Sequence, residues 1–433
     1  MRIQRFIAAT LAAALLLSGC TSLSLSSSDI LAPPKAAGHR AAVQNLIEKD
    51  AGGFYTLLYP ASGSYKSSII LHDIDADGTD EAIALYIAAD ETPRLLTAAR
   101  QGEDYRLIDS VNLSSANISS LSFADVNADG AQELLLSFDA ASPLSSLKMY
   151  FYGDGITELS VAEGYTDFVS GDFDGNSTDD ILLLYPADAQ PSAKASLMVY
   201  TEGNFSEKSF CDIDSEVISY AQLSFGKISK DIDGAIADGR LQSGEYTTQI
   251  LYYDSTAHML MNPLIQNNSY SRSVRSDAVL SADIDDDDIA EVPLCSLTEH
   301  TEDEDENDVC SLALWSGYNP EEMALSFKQA AVLCEKLGFM LRFDIEPLSG
   351  MTARYTADNA VTLYDLSFID TKAEGAELLT VKRYEKNSYD SSLTAEADLY
   401  ESTAYIYTYI LGEGSPFTHD DIENSFTLLE ADV

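Results

Sequence analysis

Along much of the chain, short apolar runs recur about fifty residues apart, each introduced by a polar, acid-rich turn. Ala82-Ile83-Ala84-Leu85-Tyr86, Leu134-Leu135-Leu136, Ile181-Leu182-Leu183-Leu184 and the stretch from Val292 follow such turns. Between them lie Tyr150-Phe151-Tyr152, Leu197-Met198-Val199-Tyr200 and Gln249-Ile250-Leu251-Tyr252-Tyr253, bounded by Gly, Asp or Ser. Runs of this kind read as strands. Short strands at a fixed period with turn signals favour a propeller or another closed β array. Helical spacing is found in two places. Ala42, Leu46 and Ile47 recur between His39 and Asp50; Ile422, Phe426 and Leu429 share a face after Thr418, with Asp421 placed as in a capping box.

The turns themselves repeat. Asp73-Ile74-Asp75-Ala76-Asp77-Gly78-Thr79-Asp80-Glu81 returns as Asp125-Val126-Asn127-Ala128-Asp129-Gly130-Ala131-Gln132-Glu133. It returns again as Asp172-Phe173-Asp174-Gly175-Asn176-Ser177-Thr178-Asp179-Asp180, and finally as Asp283-Ile284-Asp285-Asp286-Asp287-Asp288-Ile289-Ala290-Glu291. The starts lie 52, 47 and 111 residues apart. The last gap is about twice the others and places a degenerate copy near Gly226-Lys227-Ile228-Ser229, which has lost its acids.

Oxygen ligands at positions 1, 3 and 5 of such a turn project to one side, position 7 adds a backbone carbonyl, and an acid at position 9 closes the shell. Glycine at position 6 permits positive φ; Ser177 and Asp288 replace it in the last two copies, which is expected to weaken those sites. An EF-hand needs a bidentate Glu at position 12, where Ala84, Leu136, Leu183 and Leu294 stand instead, so a helix–loop–helix sensor is excluded. Clustered carboxylates repel one another unless a cation neutralises them, and a flexible shell of several carboxylates suits calcium better than magnesium. Against this stands the bland reading of a solvated acidic turn, which four copies in register make the weaker one.

The turn-then-strand unit resembles the FG-GAP/VCBS repeat family of calcium-binding β-propellers, including integrin-alpha-like N-terminal domains, over roughly residues 50–326. The resemblance implies a mainly β fold with a propeller of about five to seven blades. It also implies four calcium ligand sets: Asp73, Asp75, Asp77 and Glu81; Asp125, Asn127, Asp129 and Glu133; Asp172, Asp174, Asn176 and Asp180; and Asp283, Asp285, Asp287 and Glu291. The missing glycines, and the absent acids near residue 227, depart from the family's pattern.

After Trp315 the turn motif disappears and the spacing of apolar runs changes. The propeller is therefore expected over 39–327, followed by a small α+β domain over 328–433. The clearest strand there, Ala404-Tyr405-Ile406-Tyr407-Thr408-Tyr409-Ile410-Leu411, is a candidate sugar-binding face, although aromatic strands more often pack into cores.

The first residues bear on compartment. Arg2 and Arg5 precede an apolar run from Phe6 to Leu17 that ends in Leu17-Ser18-Gly19-Cys20. The run is too short to span a bilayer and fits a secretory signal, residues 1–19. Its end looks like a bacterial lipobox, implying lipidation of Cys20. A Ser- and Pro-rich tether over 20–38 follows. The expected location is the extracytoplasmic face of the cell membrane, held there by the N-terminal lipid.

Charge narrows the partners. With 71 acidic against 25 basic residues and a net charge of −46, the chain is a poor match for nucleic acid. No H-E-x-x-H, G-x-S-x-G, Walker A or G-x-G-x-x-G motif is present. His72 neighbours Asp73, but a partly exposed surface imidazole is the plainer reading. Cys295 and Cys310 flank the acidic run 299–308; a bridge closing some 15 residues would stabilise by about 3 kcal/mol, but two buried reduced thiols is the stronger reading. The function expected is that of a non-enzymatic binding or scaffold module for an extracellular protein or glycan. The alternative is an enzyme acting on extracellular polysaccharide, for which no catalytic constellation stands out.

Overall fold

The computed structural model describes residues 38–139, 145–153, 155–187, 192–266, 273–276, 279–298, 308–343, 351–365, 375–389 and 396–429. The signal segment, Cys20, the tether up to residue 37 and most of the acidic run 299–308 lie outside the described residues. No described helix is long and apolar enough to cross a membrane.

The protein is mainly β, with six antiparallel sheets of four to five strands, an organisation consistent with a propeller-like arrangement. Chain contacts divide the described residues into two compact units, those within 38–58, 68–73 and 78–114 forming one and the remaining described residues the other. The first unit carries the first sheet, whose successive strands Ile69–His72, Glu81–Ile87, Pro93–Gln101 and Asp104–Asn112 form a meander, with Thr56–Leu57 added beside Glu81–Ile87. The helix His39–Ala51 packs Val43, Ile47 and Ala51 on Ala82, Ala84, Tyr86 and Leu96 of that sheet.

In the second unit the meanders follow one another in chain order. The second sheet is Ile118–Ala124, Glu133–Asp139, Ser145–Tyr152 and Ile156–Tyr165. The third is Asp167–Gly171, Asp180–Tyr185, Lys194–Thr201 and Asn204–Asp212, and the fourth is Val217–Ser229, Ile232–Leu241, Tyr246–Asp254 and Met259–Met261.

Stacking of these sheets explains why the second strands of the second and third read as unbroken apolar runs rather than alternating ones. Ile181 and Leu183 pack toward Leu135, Leu147 and Met149 of the second sheet, while Leu182 and Leu184 pack toward Ala235, Ala237 and Leu251 of the fourth. A strand covered on both faces has no polar side to show. The fourth sheet repeats the arrangement, with Ile236 and Ile250 facing Val292 and Tyr318 of the fifth.

No separate C-terminal α+β domain is evident among the described residues. The boundary expected at 327/328 falls inside the strand Ala324–Cys334, which belongs to the fifth sheet with Val292–Leu297, Ser311–Asn319 and Phe339–Phe343. A sixth sheet follows, built from Met351–Ala357, Ala360–Asp365, Glu377–Glu385, Tyr405–Leu411 and Ala397–Glu401. One core joins the two, with Val332, Leu341 and Phe343 against Val361, Leu363 and Val381. Loss of the acidic turn after Trp315 marks the end of a motif; the meander itself continues.

The terminal helix is His419–Ser425, opened by the anticipated capping box: Thr418 N–H donates to Asp421 Oδ2 at 2.7 Å and Asp421 N–H donates to Thr418 Oγ1 at 3.2 Å. It is shorter than its apolar spacing predicts, because Phe426–Leu428 leaves it as a strand and pairs with Phe339–Phe343. The tyrosines of Tyr405–Leu411 answer the packing question. Tyr407 and Tyr409 are buried in the shared core, and Tyr407 donates its hydroxyl to Leu337 O at 3.0 Å.

The cysteine hairpin forms in a different register from the one a bridge requires. Cys295 pairs with Ala313, and Cys310 O instead accepts from Thr298 N–H at 3.0 Å. Cys310 is a thiol in no disulfide, and its side chain contacts that of Cys334.

The fourth sheet has no acidic turn. Residues 226–229 lie within its first strand and pass through a two-residue turn to Ile232. It holds a fully buried ion pair instead: Arg275 Nη2 donates to Asp238 Oδ1 at 2.9 Å, and Ser281 N–H donates to Asp238 Oδ2 at 2.7 Å. Arg275 also donates to Val279 O at 2.7 Å, fixing the segment that leads into the fourth acidic turn. Breaking such a pair leaves an uncompensated buried charge, so Arg275→Met is expected to cost about 3–5 kcal/mol, read as a lowered midpoint in chemical denaturation.

Candidate metal sites in the acidic turns

All four acidic turns adopt one conformation. Position 6 is left-handed in each, at φ 86° for Gly78, 85° for Gly130, 69° for Ser177 and 65° for Asp288. The two copies without glycine therefore keep the turn, at the strain a side chain carries there. In each copy the position-6 N–H donates to the position-1 carboxylate: to Asp73 at 2.9 Å, Asp125 at 3.2 Å, Asp172 at 2.8 Å and Asp283 at 2.8 Å. Position 2 is a buried apolar plug, Ile74, Val126, Phe173 or Ile284.

Position 9 is the first residue of the following strand at Glu81, Glu133 and Asp180 and directly precedes it at Glu291, and it is buried in every copy, with Glu81 8%, Glu133 3%, Asp180 1% and Glu291 0% exposed. Its carboxylate is thus carried out of water by the strand, while its partners reach it from the turn. Val126 N–H donates to Glu133 Oε2 at 3.1 Å, and Ile284 N–H donates to Glu291 Oε2 at 3.1 Å.

In the first, third and fourth turns the structure brings together positions 1, 3 and 9. Asp73, Asp75 and Glu81; Asp172, Asp174 and Asp180; and Asp283, Asp285 and Glu291 each offer a carboxylate oxygen, all within 4.8 Å of one another. Asp77 and Asp287, at position 5, fall outside these groups. Asn176 at that position spends its amide oxygen on Thr178 N–H at 2.7 Å. The second turn is built differently, because Asn127 at position 3 donates Nδ2 to Glu133 Oε1 at 3.0 Å. His72, half-buried at the end of its strand, is not a member of the first group.

The electrostatics show what a cation would relieve. Burial, reinforced by Asp129 and Asp125, pushes Glu133 up to about 7 against the pull of Val126 N–H. Burial and the neighbouring Asp174 push Asp180 up to about 7, with Lys208 drawing it back. Asp180 Oδ2 and Asp125 Oδ1 are buried oxygens without a hydrogen-bond partner. An all-oxygen donor set with an orphaned carboxylate oxygen fits a hard divalent cation.

Two features lay beyond sequence pattern. Lys328 Nζ donates to Asp285 at 3.0 Å, Asp287 at 2.7 Å and Glu291 at 2.8 Å, and Lys208 Nζ pairs with Asp174 in the third turn. These lysines stand 45 and 36 residues after their turns begin, so no fixed spacing announces them. The second feature is a recurrent latch at position 8. Asp179 N–H donates to Asp125 O at 2.8 Å, Gln132 N–H to Ile74 O at 2.7 Å, and Ala290 N–H to Lys227 O at 3.2 Å. Lys227 belongs to the degenerate copy, which keeps its place in the latch after losing its acids.

No family model matches the chain, and no curated protein matches it. Distant structural similarity is found to the rhamnogalacturonan lyase PL11 of Bacillus licheniformis, 9% identical with a TM-score of 0.31 over 74% of this chain and 80% of that one. Sqt1 of Saccharomyces cerevisiae is 7% identical, with a TM-score of 0.32 over 83% of this chain and all of that one (100%). Likeness this remote assigns neither fold nor function, and the chemistry rests on the turns.

A pH dependence follows. Carboxyls whose folded pKa is raised add stability below their ordinary pKa and lose it as pH rises through the folded value. In chelator, the melting temperature should therefore fall between pH 5 and 8 as Glu133 and Asp180 ionise near 7. With a bound divalent cation, which favours the charged forms, that fall should be absent.

Proposed function

We propose that the protein is a lipid-anchored, extracytoplasmic binding or scaffold module whose propeller-like sheets are stapled by calcium held in the acidic turns. The observation that carries the reading is Asp180, a carboxylate 1% exposed with one oxygen unpartnered, grouped with Asp172 and Asp174. A charged group so placed is costly unless a cation meets it.

Calcium's tolerance for mixed carboxylate, amide and carbonyl ligands suits turns that offer Asp, Asn and Glu, where magnesium demands a stricter octahedron and keeps its waters. Its role is structural: it neutralises positions 1, 3 and 9 at once, which holds the turn and, through position 8, the latch beyond it. Sites of extracellular modules fill at about 10⁻⁴ to 10⁻³ M, so ambient ion suffices. Protein or glycan is the ligand class. A cleft of about 460 Å³ beside the fourth turn, lined in part by Gln329, Arg342, Asp421 and Asn424, offers the polar contacts for it.

The test is a melting series on the mature soluble fragment. EDTA should lower the melting temperature by several degrees and added calcium restore it. Asp180→Asn should raise the metal-free melting temperature, by removing a buried charge, while shrinking the increment that calcium gives. A melting curve indifferent to both chelator and calcium would sink the reading.

A further inference from the structure

The second, third and fifth sheets each carry a register slip between two neighbouring strands of the meander, and the slip leaves one residue of the later strand unpaired. In the third sheet it lies between Leu197↔Ser209 and Met198↔Glu207, and the unpaired residue is Lys208. In the fifth it lies between Trp315↔Gln329 and Ser316↔Phe327, and the unpaired residue is Lys328. In the second it lies between Leu147↔Ala162 and Lys148↔Ser160, and the unpaired residue is Val161. A bulge re-aims the side chain it frees. Here it aims both lysines at the acidic turn of their own sheet.

Lys328 reaches three carboxylates of the fourth turn, at positions 3, 5 and 9, and one of them, Glu291, is fully buried. Lys208 reaches only Asp174, and Asp180 Oδ2 stays unpartnered beside it. No lysine or arginine pairs with the described acids of the second turn, whose sheet carries valine at the bulge. The two turns with a lysine are also the two that lack glycine at position 6.

We propose that the bulge residue sets which cation each turn takes: Lys328 is a tethered counter-ion that fills the cation position of the fourth turn in place of a metal. Lys208 does the same incompletely in the third, and valine leaves the second turn to free divalent ion. An ammonium carried on the next-but-one strand of the same sheet is always present, so the fourth turn stays closed when extracellular calcium falls. The inference takes from the proposed function only that these turns require a cation.

The experiment compares wild-type protein with Lys328→Met by calcium titration calorimetry and native mass spectrometry, after exhaustive EDTA treatment. The lysine side chain is 29% exposed, so an apolar residue of similar length fits the same path. The variant is expected to bind one calcium ion more than wild type, and to melt lower in EDTA yet recover when calcium is added. Lys328→Arg should keep the wild-type ion count.

An unchanged count in Lys328→Met overturns the inference, however many ions wild type binds. That wild-type number tests the calcium reading separately. If wild type binds none and the variant binds one, the lysine assignment stands and calcium stapling of the other turns falls. Should Lys328→Met fail to fold in either condition, Lys208→Met gives the same comparison at the third turn: tighter calcium binding there supports the inference, and unchanged affinity overturns it.

Discussion

The structure depends on a carboxylate that each acidic turn places where water cannot reach it. Position 9 stands at the start of an apolar strand, and that strand's own packing draws the acid inward. Once there it must be met by hydrogen-bond donors and by positive charge. The turn supplies the donors through the position-2 amide, at Glu133 and at Glu291. It cannot supply the charge, because its other side chains are mostly acids. Positive charge for the ionised acid comes from outside the turn, as Lys328 does for Glu291 in the fourth.

This requirement ties local chemistry to the stacking of sheets. Residues at positions 1 and 9 are one turn apart in sequence, but position 8 lies between them and donates its amide to the preceding repeat. Asp125 shows the coupling most directly. Its carboxylate accepts Gly130 N–H within the turn, its carbonyl accepts Asp179 N–H from the next turn, and its own N–H donates to Asp179 Oδ2 at 2.9 Å. Whatever charge satisfies the second turn thus also steadies the contact between the second and third sheets. The fourth sheet, which has no acids at this place, uses the Arg275–Asp238 pair for internal cohesion and keeps only the latch at Lys227.

Much of this was legible in the chain. The acidic repeat located four strand starts, because a turn with that spacing must precede an extended segment, and the doubled gap located the sheet without a turn. The capping box at Thr418 and the helix after His39 were visible because they are local. Misreadings came where the deciding contact is long-range. Phe426 continued a helical stripe but pairs with Leu341 of Phe339–Phe343, 85 residues earlier in the chain. The end of the motif after Trp315 looked like a domain change, whereas the core formed by Leu341, Phe343, Leu363 and Val381 runs on without it. The Cys295–Cys310 bridge, the weaker of the two readings of that spacing, is not formed, because the pairing sets Thr298 rather than Cys295 opposite Cys310. Lys208 and Lys328 were invisible for the same reason, since a bulge is a property of pairing and leaves no mark on either strand alone.

Whether cations meet the buried carboxylates is measured most directly by amide hydrogen exchange across the acidic turns, in EDTA and at millimolar calcium. Calcium is expected to slow exchange at 125–133 and 172–180, including the position-8 amides of Gln132 and Asp179, while 283–291, already closed by Lys328, changes little. Exchange rates in all of these segments that do not respond to calcium would contradict a cation requirement in the turns.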